Sequence, residues 1–358
     1  MNYKILSINP GSTSTKVALY ENENEIFTET ITHTTEDLNK FDDVLDQTSF
    51  RTEAVNAVLA KHGVELSELS AVAGRGGMLP DMCGGGYLVT DGMIEAIRSG
   101  KASPHASNLG ALLASGIAGP LGINAYIYDA VTANEFPDIA AVTGMPDVRR
   151  ESRCHVLNMK AVARKVAEKY GRAYEDMRLI VAHMGGGITI SVHEGGRIVD
   201  SIGDDSGPFA PERSGSVSLL YVIDMCYSGK YDKKEMIARI RGHGGLKAYF
   251  GTADCREIEK MAEAGNEQAK LMYEAMAYQV AKGIGELSPV LYGKVDYIIL
   301  TGGLAYSEAF TGMLAERVGF IAPIELMPGE NEMEALTLGT LRILRGAETA
   351  REYCCSGG

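Results

Sequence analysis

The sequence lacks several features that would point to whole classes of protein. It has no excess of basic residues, since 34 Lys and Arg stand against 47 Asp and Glu and the net charge is −13. Such a surface has no positive field to displace counterions, which argues against nucleic acid as the main partner. No apolar run approaches the ~20 residues of a membrane helix. The sequence therefore predicts neither a nucleic-acid partner nor a membrane partner.

Two further absences concern the cysteines and the start of the chain. The six cysteines, at positions 83, 154, 226, 255, 354 and 355, show no C-x-x-C spacing. The first residues, MNYKILSINPGS, form a strand-like run and not a basic segment followed by an apolar one. We therefore expect no secretion signal, and reduced thiols in a cytoplasmic enzyme.

Two familiar nucleotide-binding motifs are also missing. No G-x-G-x-x-G follows a strand and opens a helix, which excludes a dinucleotide-binding oxidoreductase. The segment that ends at Lys16 is not a Walker A loop, because no Gly precedes Lys16 and a strand is predicted to follow it.

Glycine, by contrast, is abundant and clustered. The 42 glycines in 358 residues are roughly 12%, against a usual ~7%. Several lie together at predicted strand ends, where the backbone must turn sharply or approach a ligand closely. The length favours two domains, which we place at 1–150 with 335–358 and at 151–334.

Two similar hairpins lie about half a chain apart. Residues 5–8 and 15–20 predict strands around one turn, and residues 179–182 and 188–192 predict strands around a second. This weak duplication predicts two similar domains facing one another. Predicted helices at 52–62, 92–99, 105–117, 155–169, 256–286, 307 onward and 333–346 alternate with strands at 70–73, 123–129, 295–300 and 321–327. Such alternation is typical of α/β layers.

The first turn carries groups suited to a polyphosphate. From Asn9 to Lys16 it offers backbone N–H groups, four hydroxyls and one ammonium. The second turn, Gly185-Gly186-Gly187, leaves its backbone uncovered by side chains. Either turn alone is better explained as a plain hairpin, but two matching turns in duplicated positions favour phosphate binding.

Ten segments, in their order along nearly the whole chain, resemble the acetokinase family of the sugar kinase/Hsp70/actin superfamily, and in detail its butyrate and branched-chain carboxylate kinases. The segments are INPGSTSTK (8–16), AGRGG (73–77), SPHASNLG (103–110), YIYDAVTANEF (126–136), RCHVLNMKAVA (153–163), AHMGGGITI (182–190), APERSG (210–215), GTADCR (251–256), LTGGLAYS (300–307) and PGENEMEAL (328–336).

The resemblance implies both fold and activity. The expected fold has two duplicated ribonuclease H-like domains of the actin-like ATPase type, with mixed sheets flanked by helices and an active-site cleft between the domains. The expected activity is reversible, Mg²⁺-dependent transfer of a phosphoryl group from ATP to a short-chain fatty acid, butyrate or a branched analogue, which gives an acyl phosphate and ADP. A homodimer or larger homo-oligomer is also implied.

The chemistry requires two anions to be held in line and needs no general base, because the carboxylate is already a nucleophile. Arginine suits this task. Arg75 and Arg213 lie in predicted loops that would leave the guanidinium free, and by resemblance they are catalytic. By resemblance His155 stabilises the transferring phosphoryl group, and His105 and His183 have positioning roles.

The remaining site residues rest on the same resemblance. Asp129, expected at the open end of a strand, and Glu332 match magnesium-site acids that act through water. The residues expected to bind nucleotide are Asn9, Ser12, Ser14, Lys16, His183, Gly185, Gly186, Gly187, Asp254, Arg256, Gly302 and Gly303. Near the acid, Gly77, His105 and Cys154 are expected, and the small residues at 77 and 154 predict a pocket deeper than that of acetate kinases. Each extra buried methylene is worth about 0.8 kcal/mol.

Two alternatives stay open. One is an acetate or propionate kinase. The other is an actin- or Hsp70-like nucleotide-switched binding protein, which would explain the phosphate-binding turns but gives no purpose to Arg75, Arg213 and His155.

Overall fold

The computed structural model describes residues 1–354, which form two compact units. The first unit comprises Met1–Asn134 and the segment from Asn331 onward, and the second comprises Glu135–Glu330. The boundary therefore falls before the expected position at 150, because residues 135–150 are tied to the second unit. Glu135 pairs with the buried Lys160 at 2.7 Å. Residues 355–358, the end of the predicted first domain, lie outside the described residues.

The elements are numbered in chain order. The strands are β1 (Lys4–Pro10), β2 (Ser14–Glu21), β3 (Asn24–Thr32), β4 (Ala71–Arg75), β5 (Gly86–Leu88), β6 (Asn124–Tyr128), β7 (Leu179–Met184), β8 (Ile188–Glu194), β9 (Arg197–Ile202), β10 (Tyr297–Gly302), β11 (Ile324–Pro328) and β12 (Arg351–Glu352). The α-helices are α1 (Thr35–Leu38), α2 (Thr48–Lys61), α3 (Asp91–Arg98), α4 (Leu109–Ala118), α5 (Asp138–Ala141), α6 (Val156–Lys169), α7 (Leu219–Tyr227), α8 (Lys233–Ile240), α9 (Gly245–Phe250), α10 (Cys255–Glu263), α11 (Glu267–Leu287), α12 (Glu308–Val318) and α13 (Glu332–Leu344).

The first unit is built on a seven-stranded mixed sheet in the order β12-β5-β6-β4-β1-β2-β3. β1 pairs antiparallel with β2 and parallel with β4, and β4 pairs parallel with β6. Leu6 and Ile8 of β1 and Val72 of β4 are fully buried in one apolar cluster with residues of α2 and α4. On β1, Ser7 faces α13, where its hydroxyl lies 2.7 Å from that of Thr337.

The second unit has a five-stranded mixed sheet in the order β11-β10-β7-β8-β9. The first three strands of this unit in chain order, β7, β8 and β9, are antiparallel neighbours. β10 pairs parallel with β7, and β11 pairs parallel with β10. The strands β3-β2-β1-β4-β6 of the first unit follow the same plan. Both sheets also shift register late in the second strand, at Leu19/Tyr20 and at Val192/His193. The duplicated α/β fold predicted from the hairpins is therefore confirmed.

Some elements differ from the sequence expectations. The helical pattern at 256–286 is two helices, because Gly265 adopts a φ of +88° and the Asn266 side chain caps α11 by accepting the N–H of Ala269 at 3.0 Å. His105 does not begin a long helix. It caps one 3₁₀ turn, and α4 begins at Leu109. Within residues 1–354, no helix has the length and apolar character needed to cross a bilayer.

Candidate active site

The first phosphate turn joins β1 to β2 in the first unit. Asn9 lies opposite Lys16 in the antiparallel register, and the turn closes with a hydrogen bond from the Gly11 N–H to the Ser14 carbonyl at 2.8 Å. Ser12 is exposed and Ser14 is partly exposed, so both are accessible to a ligand. The sequence-predicted phosphate-binding residues of this unit are therefore brought together on one turn.

Glu332 connects that turn with Arg75. One carboxylate oxygen accepts a hydrogen bond from the Asn9 amide, and the other lies 3.9 Å from an Arg75 guanidinium nitrogen. Glu332 is the first residue of α13, whereas Arg75 is the last residue of β4. Three residues from distant parts of the sequence thus meet at the carboxyl ends of β1 and β4.

Arg75 is not the free loop arginine expected from the sequence. It is only 7% exposed, and its Nη1 donates to the Asp129 carbonyl at 3.3 Å. Its position depends on two glycines, since a Cβ on Gly74 would lie 2.1 Å from the Gly110 carbonyl and one on Gly110 would lie 2.2 Å from the Arg75 carbonyl. These glycines let β4 and α4 touch through their backbones.

Asp129 follows β6 with a φ of +41°, a conformation that Asp tolerates better than most residues. Its carboxylate does not emerge at an open strand end as expected, because the residue is 1% exposed. One oxygen accepts the N–H of Gly85 at 2.8 Å, and the Asp129 N–H donates to the Gly85 carbonyl at 3.0 Å. Asp129 therefore supports the Arg75 side chain through its own carbonyl oxygen.

The structure changes the interpretation of Gly77. A Cβ there would lie 2.3 Å from the Asn108 amide oxygen and 2.9 Å from its Cα. The space beside Gly77 is thus occupied by Asn108, and glycine at this position is required by close packing. The idea that Gly77 opens room for a longer acid is not supported.

His105 remains accessible to solvent near Arg75. Its pKa is lowered by partial burial and then by the positive charge of Arg75. Its Nδ1 lies 2.7 Å from the Ser107 hydroxyl and accepts the Ser107 N–H at 3.2 Å. The imidazole is therefore held in one orientation and stays neutral at physiological pH.

The glycine turn of the second unit joins β7 to β8. The Gly185 N–H donates to the Gly187 carbonyl at 3.0 Å, and a Cβ on Gly187 would approach Arg213 Cγ to 3.8 Å. Arg213 is not free, because its Nε donates to the Asp204 carboxylate at 2.9 Å. The side chain is 23% exposed, so the guanidinium retains donors at the surface beside the turn.

Two predicted histidines stack next to this turn. The rings of His155 and His183 lie 4.0 Å apart at an angle of 19°. His155 Nδ1 lies 2.9 Å from the Thr189 hydroxyl, and His183 Nδ1 lies 2.8 Å from the Asn158 amide nitrogen. Sequence reasoning missed Asn158, although it lies in the first turn of α6, three residues after His155, which is the N-cap of that helix.

A cavity of about 770 Å³ in the second unit collects most of the residues predicted to bind the nucleotide there. Its lining includes Gly185, Gly186, Asp254, Arg256, Gly303, Tyr273, Leu304, Tyr306 and Glu330. The tyrosines and Leu304 supply apolar surface that the sequence did not point to. Gly302 is not among the lining residues and has a structural reason, since its φ is +88° and a Cβ would lie 2.5 Å from the Met184 carbonyl.

At the mouth of this cavity Asp254 caps α10. It accepts the Arg256 N–H at 2.9 Å and two guanidinium hydrogen bonds at 2.9 and 2.6 Å. These bonds lower the pKa of Asp254 to about 2. The pair thus presents one fixed anion and one cation at the cavity edge.

Cys154 precedes His155 but is only 6% exposed. Burial raises the pKa of its thiol to about 11. The thiol is therefore neutral at physiological pH and has a small, apolar character.

Residues 1–354 contain no group of three or more His, Cys, Asp or Glu side chains placed to hold a metal ion. Mg²⁺ usually takes one or two carboxylates, keeps several waters and uses phosphate oxygens for the rest. Asp129 and Glu332, which both contact Arg75, suit such a site only together with a phosphate-bearing ligand.

The two units share one sheet plan, and each has a turn with exposed backbone between its first two strands, which is the architecture of the actin-like ATPases. The crystal structure of Porphyromonas gingivalis acetate kinase matches 96% of this chain and 100% of its own, with a TM-score of 0.79 and 19% identity. A propionate kinase from Francisella tularensis matches 94% of this chain and 98% of its own, with a TM-score of 0.74 and 18% identity. At these identities the matches define the fold.

The family follows from closer relatives. The acetokinase family model matches residues 142–318. The probable butyrate kinase 2 of Caldanaerobacter subterraneus subsp. tengcongensis is 49% identical over 352 residues, which are 98% of this chain and 99% of that protein. The chain belongs to the acetokinase family, as its ordered motifs predicted.

Proposed function

We propose that this protein transfers a phosphoryl group reversibly between ATP and a short-chain carboxylate, butyrate or a branched analogue, with formation of an acyl phosphate and ADP. The observation that carries this proposal is the group formed by Asn9, Arg75 and Glu332. It places a nearly buried guanidinium, the natural partner of a carboxylate or phosphoryl group, next to a turn rich in phosphate donors.

The nucleotide belongs to the second unit in this proposal. Its cavity of about 770 Å³ is large enough for an adenosine and has the glycine turn in its lining. Apolar surface from Leu304 and Tyr273 would contact the base, while Asp254 and Arg256 lie near the sugar. The exposed backbone at Gly185 and Gly186 would approach the phosphates.

In the transfer step, a carboxylate oxygen attacks the γ-phosphorus of ATP, and the bond from that phosphorus to the oxygen bridging to ADP breaks. No proton must be removed, because the acid is already ionised. Arg75 and Arg213 stabilise negative charge on the equatorial oxygens, and His155 adds a hydrogen bond to them. The stacked His183 and its partner Asn158 hold His155 in position.

Magnesium would arrive with the nucleotide. Bound there, it neutralises charge on the phosphate oxygens. Asp129 and Glu332 would hold it through its water molecules, and both also set the position of Arg75.

The choice of butyrate or a branched acid rests on the 49% identical relative and on Cys154. The small, neutral thiol beside His155 leaves more apolar volume than a phenylalanine would. Gly77 does not contribute to this argument, because Asn108 occupies its surroundings.

We also propose that the protein acts in the cytoplasm, where ATP is available, and as a homodimer or larger homo-oligomer. α7 supports self-association, because none of its residues is buried in the described chain. Leu219 is 73% exposed and Tyr227 is 88% exposed. Exposed apolar surface of this extent is typical of an interface.

The test is a hydroxamate assay of acyl phosphate formation with MgATP and acetate, propionate, butyrate, isobutyrate or isovalerate. We expect the highest kcat/KM with a four- or five-carbon acid. Product with none of these acids would refute the carboxylate kinase function. A preference for acetate would refute only the proposed acid size.

A further inference from the structure

A buried arginine lies directly beneath the first phosphate turn. Arg51, on α2, is 0% exposed, and none of the ion pairs of residues 1–354 includes it. Its Nε and Nη2 both donate to the Gln47 amide oxygen, at 3.0 and 2.8 Å. A buried charge without a carboxylate partner is costly unless other dipoles compensate it.

The compensating dipoles are the carbonyls of the turn itself. Arg51 Nη1 donates to the carbonyls of Gly11 at 2.9 Å and Ser14 at 2.8 Å, and Nη2 donates to that of Ser12 at 3.2 Å. The carbonyl of Thr13 accepts the backbone N–H of His33 at 2.9 Å. Four consecutive carbonyls are thus directed toward donors of the first unit.

The N–H groups at the opposite ends of these peptide dipoles are the groups that a ligand can reach. Ser12 and Thr13 are exposed, and within the described chain their N–H groups donate to no protein acceptor. Inward carbonyls leave the positive ends of the peptides available to a ligand. The guanidinium beneath adds a full positive charge, because arginine remains protonated at physiological pH even when burial lowers its pKa.

The surrounding side chains keep this charge in place without neutralising it. Thr15 accepts a hydrogen bond from Arg51 Nη1 at 3.0 Å, and its hydroxyl lies 2.8 Å from His33 Nε2. Burial, followed by the charge of Arg51, lowers the pKa of His33. His33 is therefore neutral, and Arg51 is the cation within this network.

We infer that Arg51 is a positioning residue for the polyphosphate. It turns the carbonyls of residues 11, 12 and 14 inward, so that the exposed N–H groups of the turn face the terminal phosphates. Its own positive charge, beneath the turn, also attracts these phosphates. This inference rests on the proposed function, since it assumes that the turn binds the phosphates of ATP. A bound phosphate would then supply an anion near a guanidinium that has no carboxylate partner within residues 1–354.

The test compares Arg51→Gln, Arg51→Lys and Val55→Ala in the full chain. Val55 is the matched control, because it is also on α2, is 0% exposed and belongs to the apolar core cluster of this unit. Isothermal titration calorimetry would measure binding of inorganic tripolyphosphate and of a Mg²⁺-bound ATP analogue with nitrogen between the β and γ phosphates. Thermal unfolding would measure stability in parallel.

We expect Arg51→Gln to weaken both ligands by at least about tenfold, or ~1.4 kcal/mol. Val55→Ala should lower the unfolding temperature through its cavity but leave both dissociation constants within about twofold of wild type. Arg51→Lys should bind more tightly than Arg51→Gln, because it retains the charge. If Arg51→Gln does not fold, Arg51→Lys should still bind several-fold more weakly than Val55→Ala, because an ammonium has three donors in place of five.

Equal affinity of Arg51→Gln and Val55→Ala would overturn the positioning role, and so would equal affinity of Arg51→Lys and Val55→Ala where only that pair folds. Arg51→Lys no tighter than Arg51→Gln would overturn the contribution of charge. A wild-type protein that binds the analogue but phosphorylates no acid would refute the proposed transfer while leaving the comparison of Arg51 variants valid. Absence of binding by the wild type would refute both.

Discussion

At the residue scale, side chains that the sequence predicted to be free are held in position by neighbouring groups. Arg75 and Arg213 were expected in loops, yet Arg75 ends a buried strand and Arg213 pairs with Asp204 at 2.9 Å. An arginine whose geometry is fixed by a second hydrogen bond loses less entropy when it binds an anion. These supporting contacts therefore favour binding of an anion. They also mean that truncation of either arginine would disturb the packing around it.

For this reason Arg75 is tested with a substitution that retains the positive charge of the side chain. Arg75→Lys should lower kcat by roughly a hundredfold, because a single ammonium cannot replace the two-pronged donor geometry of a guanidinium. Steady-state kinetics and the unfolding temperature are measured together. Arg98→Lys, at an exposed position on α3, is the control and should leave the rate unchanged. Near-normal kcat in Arg75→Lys would remove it from the reaction.

A second residue-scale prediction concerns magnesium. Asp129→Asn keeps an acceptor for the Gly85 N–H but removes the negative charge. The Mg²⁺ concentration for half-maximal activity should rise roughly tenfold or more. The control is Asp138→Asn, whose side chain is 97% exposed. An unchanged magnesium dependence would place Asp129 outside the metal shell and leave it a structural role beside Arg75.

The thiols give a prediction that depends on pH. Because burial raises the pKa of Cys154 to about 11, its thiolate fraction at pH 8 is far below that of an exposed cysteine and grows only as pH approaches that value. Iodoacetamide at pH 8 should therefore label the exposed Cys83 and Cys226 first. Labelling of Cys154 should require unfolding. Peptide mass spectrometry checks this, and equally fast labelling of Cys154 would contradict its burial.

At the element scale, two neighbouring glycines have different roles. Gly302 is required by the backbone of β10, whereas Gly303 lines the cavity. Gly302 ends β10 with φ +88° and ψ −178°, a region open essentially to glycine alone. A Cβ there would lie 2.5 Å from the Met184 carbonyl on the neighbouring strand, whereas one on Gly303 would have no atom within 4 Å.

Gly302→Ala should therefore destabilise the protein by about 1–3 kcal/mol from backbone strain alone, with the steric contact adding to it. Gly303→Ala should leave the free energy of unfolding within about 0.5 kcal/mol. Urea denaturation measures both. Equal stabilities of the two variants would contradict the close approach of β10 to β7.

Some helix and strand boundaries could not be predicted from the periodicity of apolar residues alone. The apolar pattern across 256–286 continues through a break that Gly265 and Asn266 mark, so periodicity alone joined α10 to α11. The antiparallel strands β3 and β9 were not predicted, because their strand conformation depends on pairing with β2 and β8. Strand preference is set largely by such neighbours.

At the scale of the whole molecule, α7 bears on self-association. Leu220 on this helix is 72% exposed, and in a homo-oligomer it would lose that exposure. Leu220→Glu should therefore lower the molar mass measured by light scattering toward that of a single 38.4 kDa chain. Phe320→Glu, at an apolar site of 86% exposure outside α7, should leave the mass unchanged. An identical mass for wild type and Leu220→Glu would place the interface elsewhere.

The sequence by itself determined the duplicated α/β fold, the two glycine-bearing turns and the family, because hairpin periodicity and motif order are local properties of the chain. It also indicated which residue types could hold two anions. Only the tertiary structure decided that Glu332 joins Asn9 to Arg75, that Asn108 occupies the space beside Gly77, and that Arg51 lies beneath the first turn. These contacts link residues 30 to more than 300 positions apart, and their geometry depends on how strands and helices pack, which no local pattern records.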